Sequence, residues 1–255
     1  MLLVIDVGNT NIVLGAFEKD KLVKTFRLST VYERSSDELG MLISQLIEFN
    51  SLKISKIENV IISSVVPQVM FSLERAVKKY LNVTPVIVTS ELKTGLNITY
   101  DNPKEVGADR IVNAVAVNKL YPGRSIIIDF GTATTFCALD NENYLGGVIC
   151  PGIKISLDAL ISKTAKLPKI ELVRPNSVIG KNTVTSMQSG MIFGYAGQVE
   201  HIVSKMKEEM NDKGDIKVIA TGGMASLIAL ATDSIDILEP NLTIHGLKYL
   251  YDMNK

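Results

Sequence analysis

Leu3-Val4-Ile5-Asp6-Val7-Gly8-Asn9-Thr10 stands near the start of the chain, and Ile126-Ile127-Ile128-Asp129-Phe130-Gly131-Thr132-Ala133-Thr134 says nearly the same thing at the midpoint. Each stretch is an apolar run that delivers one carboxylate into a tight turn of glycine and hydroxyl residues. A buried strand gains nothing in packing by ending in Asp, Gly and Thr, whereas a phosphate or metal site has a use for all three. Two such turns predict two related halves that bracket one nucleotide.

Outward from the first turn, strand-like runs cover residues 2–7, 11–17 and 22–28, with Gly8-Asn9 and Glu18-Lys19-Asp20 between them, which predicts a three-stranded meander. Ser35-Ser36-Asp37-Glu38 has the form of a capping box, and Leu39, Leu42, Ile43, Leu46 and Ile47 then recur at helical spacing. A strand at 60–66 and a helix at 69–81 follow. Around the second turn the strands are expected at 125–130, 134–139 and 144–150, then helices near 153–166 and 183–210. A strand at 216–220, a helix from near Met224, a short strand near 235–238 and a last helix from near Leu242 complete the half.

The same order read twice implies a duplicated α/β domain, each copy a mixed β-sheet flanked by helices, divided as 1–118 and 119–255. Residues 103–120 join the halves with Ile111, Val112, Val115 and Leu120 on one apolar face. No Ser/Gly/Pro-rich linker intervenes, so a crossing helix and an interdomain cleft are expected.

Composition narrows the function classes. The 255 residues are 46% hydrophobic and 21% charged, which suits a soluble globular protein, with room for a core in each half. Lys plus Arg and Asp plus Glu both number 27, and this balance disfavours nucleic acid, whose affinity comes from neutralised phosphates. The N-terminal apolar run is cut by Asp6 and lacks a basic leader, so neither a signal peptide nor a membrane span is expected. Cys137 and Cys150 lie in apolar strands without a CxxC or Cys/His cluster, which points to reduced core thiols in a cytoplasmic protein and no zinc site.

Several segments carry candidate chemistry. In Asp6-Val7-Gly8-Asn9-Thr10, glycine lets backbone approach a phosphate, Asn9 and Thr10 offer donors, and Asp6 is suited to hold Mg2+. A Gly-Asn hairpin is an ordinary turn when taken alone. Asp129 repeats the carboxylate at the equivalent point, followed by three nearby threonines, although threonine is also a common strand residue. Thr221-Gly222-Gly223, between a strand and a helix, would let a flat adenine lie against backbone, or is simply a strand-to-helix turn. Gly146-Gly147 through Pro151-Gly152 carries the same ambiguity.

In residues 100–110, Asp109 can accept a proton from a substrate hydroxyl and Arg110 can bind an anionic end. The competing reading makes Asp109 a helix cap and Arg110 its partner in a surface ion pair. His201 and His245 have no partner at ligand spacing, and Met187, Met191, Met206 and Met210 recur as packing residues.

Taken together, Asp6-Val7-Gly8-Asn9-Thr10-Asn11, Tyr100 with Pro103, Gly107-Ala108-Asp109-Arg110, Asp129-Phe130-Gly131-Thr132-Ala133-Thr134-Thr135, Gly146-Gly147 with Pro151-Gly152, and Gly180-Lys181-Asn182-Thr183 with Met187-Gln188-Ser189-Gly190 closely resemble type III pantothenate kinase, nearly end to end. The first turn alone occurs across the actin, hexokinase and Hsp70 superfamily. The resemblance implies two ribonuclease H-like (actin-like ATPase) domains and ATP-dependent phosphorylation of the primary hydroxyl of pantothenate, the first step of coenzyme A synthesis. It implies that Asp6, Val7, Gly8, Asn9, Thr10, Asn11, Ile12 and Val13 form the ATP phosphate loop, with Thr132 a second contact beside the Gly222-Gly223 adenosine turn. Tyr100, Gly107, Ala108, Asp109, Arg110 and Thr183 would bind pantothenate, with Asp109 as catalytic base. Asp6 would serve Mg2+, and Asp129 a monovalent cation, K+ or NH4+. A homodimer is implied, to which the long helix from Thr183 can contribute. A phosphohydrolase of the same superfamily and a non-catalytic regulator are the competing classes.

Overall fold

The computed structural model describes every residue of the chain except Asp212. β1 (Leu2–Val7), β2 (Asn11–Glu18) and β3 (Lys21–Ser29) form an antiparallel meander, and β4 (Asn59–Ser64) and β5 (Val86–Ile87) add parallel strands on the other side of β1. The sheet order is β3-β2-β1-β4-β5. Its register puts Leu3, Ile5 and Val7 beside Ala16, Leu14 and Ile12, and these six share one core with α1 (Ser36–Phe49) and α2 (Pro67–Ala76). The pleat therefore turns Asp6 to the opposite face, in register with Ser63 of β4.

The capping box at the start of α1 is formed. The Ser35 hydroxyl accepts from Glu38 N–H and the Glu38 carboxylate accepts from Ser35 N–H. The helix expected at 69–81 starts two residues earlier, with Pro67 in its first turn, and its last five residues, Val77–Leu81, widen into a π-helical turn. There the Tyr80 ring lies over Gly40 of α1, and Tyr80 and Lys79 both donate to Asp37.

The second sheet repeats the plan. β7 (Arg124–Phe130), β8 (Ala133–Asp140) and β9 (Asn143–Pro151) form the meander, while β10 (Lys217–Thr221) and β11 (Ile237–Leu238) run parallel beyond β7. Its order is β11-β10-β7-β8-β9-β6, where β6 (Asn97–Ile98) adds a strand that the first sheet lacks. Ile126, Ile128, Phe130, Phe136, Val218 and Ala220 pack on α4 (Ile153–Ser162), α5 (Thr183–Glu209) and α6 (Ala225–Ala229). Asp129 again points to the other face. α4 stops four residues short of the expected end, where the Ser162 and Thr164 hydroxyls donate to the carbonyls of Ala159 and Leu160.

The chain forms two compact units, Met1–Gly95 with Asp101–Lys119 and Leu242–Lys255, and Leu96–Tyr100 with Leu120–Asn241. The halves read as 1–118 and 119–255 thus exchange two pieces. Leu96–Tyr100 belongs with the second unit because Asn97 and Ile98 pair with Asn143 and Tyr144. The last helix, α7 (Leu242–Asn254), belongs with the first unit and packs on β1, β2 and β4. There is space for it because Gly246 lies against Val112 of α3 (Ala108–Leu120) and Gly15 lies against Ile244. A Cβ on Gly246 would come 2.1 Å from Val112 O. His245 sets its ring against Phe17, and the buried Lys248 ammonium donates to both Asp20 and Asp252. Local spacing marks α7 as a helix and carries no information about which sheet it covers.

Candidate active site

In the first unit, the turn after β1 is held from several sides. Gly8 N–H donates to Asn11 O at 2.9 Å, the Thr30 hydroxyl donates to Gly8 O at 2.6 Å, and Thr30 N–H donates to Thr10 O at 3.0 Å. Asn9 and Thr10 are exposed, Asp6 and Asn11 are half-buried, and the side chains of Val7 and Ile12 belong to the core. Of the expected phosphate loop, Val7 and Ile12 thus have only backbone to offer a ligand.

The same unit carries Gly107, Ala108, Asp109 and Arg110 at the start of α3. Gly107 O accepts from Arg110 N–H and Ile111 N–H, so Gly107 occupies the cap position and Asp109 lies inside the first turn. Asp109 Oδ1 accepts from Arg110 N–H at 2.8 Å. Burial pushes the Asp109 carboxyl above the ordinary carboxylate range, against the opposing pull of that N–H and of the Arg110 charge. A Cβ on Gly107 would sit 2.6 Å from Asp109 Oδ1, so glycine there keeps the carboxylate where it is. Arg110 is only 6% exposed, which rules out the surface ion pair.

In the second unit, the turn after β7 is built on backbone contact. Gly131 N–H donates to Ala133 O at 3.1 Å, and Gly152 packs so closely that its Cβ would lie 2.1 Å from Thr132 O. Gly222 follows Thr221, which pairs with Asp129, and takes a left-handed φ of +93° directly over the carboxylate. Its Cβ would meet Asp129 Oδ1 at 2.6 Å, while a Cβ on Gly223 would meet nothing within 4 Å. Asp129, Gly222 and Gly223 are therefore brought together with an open side at Gly223. The helix after them, α6, has only five residues, so its dipole adds little to an adenosine site.

Tyr100 lies at the end of the β6 segment, its ring centroid 6.4 Å from that of Tyr144 and one edge over Gly146. Thr183 is the first residue of α5, after an Asn182 cap whose side chain accepts from Thr185 N–H. Gln188 donates to Glu171 O and Ser189 to Val178 O, so the segment before α5 is strapped down on the helix. Thr30 is a site-forming residue that local reading missed, since only distant pairing places it on its turn, whereas Gly152 already stood in a candidate segment.

Among the described residues, no group of three or more His, Cys, Asp or Glu side chains could hold a metal by itself. A single carboxylate such as Asp6 fits the habit of Mg2+, which keeps several waters and takes its remaining ligands from phosphates. No helix among the described residues is long and apolar enough to cross a membrane. Cys137 and Cys150 are free thiols. The first is buried and accepts from the Tyr144 hydroxyl, and burial pushes the thiol of the second up.

Comparison with known proteins agrees with this plan. A family model described as type III pantothenate kinase matches residues 2–205. Among solved structures, a protein from Campylobacter jejuni provisionally described as a Baf family transcriptional activator aligns over 98% of this chain and 97% of its own, with 21% identity and a TM-score of 0.60. A provisionally described 2-dehydro-3-deoxygalactonokinase from Sinorhizobium meliloti aligns over 98% and 96%, with 10% identity and a TM-score of 0.61. The ROK hexokinase of Thermus thermophilus aligns over 98% and 97%, with 11% identity and a TM-score of 0.52. At these identities the likeness is one of fold, the actin-like ATPase and sugar kinase architecture.

Proposed function

The chain belongs to the type III pantothenate kinase family and is a phosphotransferase that uses ATP, and from that premise we propose that it phosphorylates the primary hydroxyl of pantothenate to give 4'-phosphopantothenate, at the head of coenzyme A synthesis. The observation that carries this reading is Asp109, a half-buried carboxylate with a raised pKa, fixed in the first turn of α3 beside the buried Arg110.

In this reading, Asp6 through Val13 and Thr132 bind the ATP phosphates, and the open turn at Gly222-Gly223 takes the adenosine. Tyr100, Gly107 to Arg110 and Thr183 bind pantothenate, with Arg110 toward its carboxylate. Asp109 aligns the attacking hydroxyl and accepts its proton as the bond to phosphorus forms, and its raised pKa makes it a better acceptor than an ordinary carboxylate. Because the transition state of phosphoryl transfer is loose, alignment contributes more than deprotonation. Mg2+, held through Asp6 when bound, supplies neutralisation of the phosphate charge. Asp129 would hold K+ or NH4+.

The protein is further read as a cytoplasmic homodimer. Support comes from the outer side of α5, where Gly190, Gly194 and Gly197 are exposed with open space above each, and from the exposed Ile149 and Ile179. The test of function is direct. Purified protein with ATP, Mg2+, K+ and pantothenate is expected to yield a product heavier by one phosphoryl group in mass spectrometry. ATP hydrolysis that ignores pantothenate would replace this reading with a phosphohydrolase.

A further inference from the structure

Three carbonyl oxygens around the first turn are held by donors that come from outside it. Val65 N–H donates to Val7 O at 3.1 Å, the Thr30 hydroxyl to Gly8 O at 2.6 Å, and Thr30 N–H to Thr10 O at 3.0 Å. A backbone turn that accepts phosphate must show N–H dipoles to the anion and aim its carbonyl oxygens elsewhere, since a carbonyl oxygen repels a phosphate oxygen. Two of the three donors are backbone groups, present whatever the residue type. The third is a side chain, and it belongs to a residue outside every motif read in the sequence.

We propose that Thr30 is a positioning residue for the phosphates of ATP, its hydroxyl holding the Gly8 carbonyl away from the nucleotide and so setting the aim of the turn. The inference rests on the reading of this turn as a phosphate site. Thr30 touches no reacting atom in it. Valine at this position keeps the shape and loses the donor, so Gly8 O is released to rotate. Serine keeps the donor and loses a methyl group.

Thr30→Val and Thr30→Ser are to be compared with the wild type in calorimetric ATP binding and in the steady-state constants for both substrates. Thr30→Val is expected to raise the Kd and KM for ATP about tenfold, the scale of one lost hydrogen bond, with KM for pantothenate within about twofold. Thr30→Ser is expected to stay within about threefold of the wild type, and melting points should move by no more than about 4 °C. Unchanged ATP binding in Thr30→Val overturns the proposal, and so does a parallel loss of both substrates or a failure of serine to rescue. If the wild type binds ATP but phosphorylates no pantothenate, the functional reading fails while the binding comparison still decides the role of Thr30. A wild type that does not bind ATP removes both.

Discussion

In the first unit the residue just past the third strand of the meander is Thr30, which reaches the turn through a hydroxyl; in the second unit the corresponding residue is Gly152, which reaches it by having no side chain. The correspondence follows from register, because Ser29 pairs with Asn11 and Pro151 pairs with Ala133. One topology thus steadies two similar turns by different means. A hydrogen bond of net worth about 1 kcal/mol can be broken and remade as a ligand arrives. Backbone pressed on backbone cannot yield without moving a strand. The first turn is adjustable, and the second is a rigid frame in which Gly222 and Gly152 confine Asp129 and Thr132.

The proposed reading puts the proton acceptor in the first unit, and the largest expected effect lies there. Asp109→Asn should lower turnover about 10²-fold or more while ATP binding stays within a few-fold. Near wild-type turnover in this variant would remove the first unit's claim. Gly107→Ala presses on the free end of the Asp109 side chain, which can swing aside, so the fold should tolerate it. Turnover is expected to fall about tenfold because the carboxylate is misplaced, with little change in melting temperature.

Gly152→Ala should do the reverse. Its new Cβ meets backbone at 2.1 Å, and a loss of about 2–3 kcal/mol, or roughly 5–10 °C in melting temperature, is expected. At Gly8 the nearest contact would be Asn11 O at 3.3 Å, and Gly8→Ala should cost less than about 1 kcal/mol. Equal thermal losses at the two positions would dissolve the distinction between the turns.

The smallest effect is in pH dependence. Because burial raises the Asp109 pKa, the native state binds more protons than the unfolded chain between the ordinary carboxylate pKa and the raised one. The contribution of this group is fully present below the ordinary value and is lost as pH rises through the raised one. Asp109→Asn should therefore gain stability over the wild type on the neutral side, with the gain fading toward acid in paired urea titrations. The acid limb of kcat/KM, which needs the ionised carboxylate, should lie above the usual carboxylate range.

Much of this was legible in local pattern. The apolar run into Asp6, its echo into Asp129, and the Ser35 and Glu38 pair each announce an element within a few residues, and the repeated meander announces the duplicated fold. The long helix from Thr183 was also readable, ending within one residue of expectation. What could not be read depends on partners far along the chain. β6 has two paired residues and no periodicity of its own. Thr30 resembles any strand-end threonine until its hydroxyl is seen to reach Gly8. The π-helical turn at Val77–Leu81 keeps the apolar spacing of the helix before it, and only Tyr80 over Gly40 sets it apart.

The return of α7 to the first sheet also orders events during synthesis. β1 leaves the ribosome long before the helix that covers the Val4 face of that strand, which is made after residue 241. The second unit, lying between them in the chain, has all its strands in hand before the first unit can finish. A nascent chain therefore carries this sheet face without α7 while residues 120–241 are made, and its closure waits on Leu242, Ile244, Leu247 and Leu250. Until then the exposed apolar surface is open to aggregation, so the first unit is the later of the two to become safe from it.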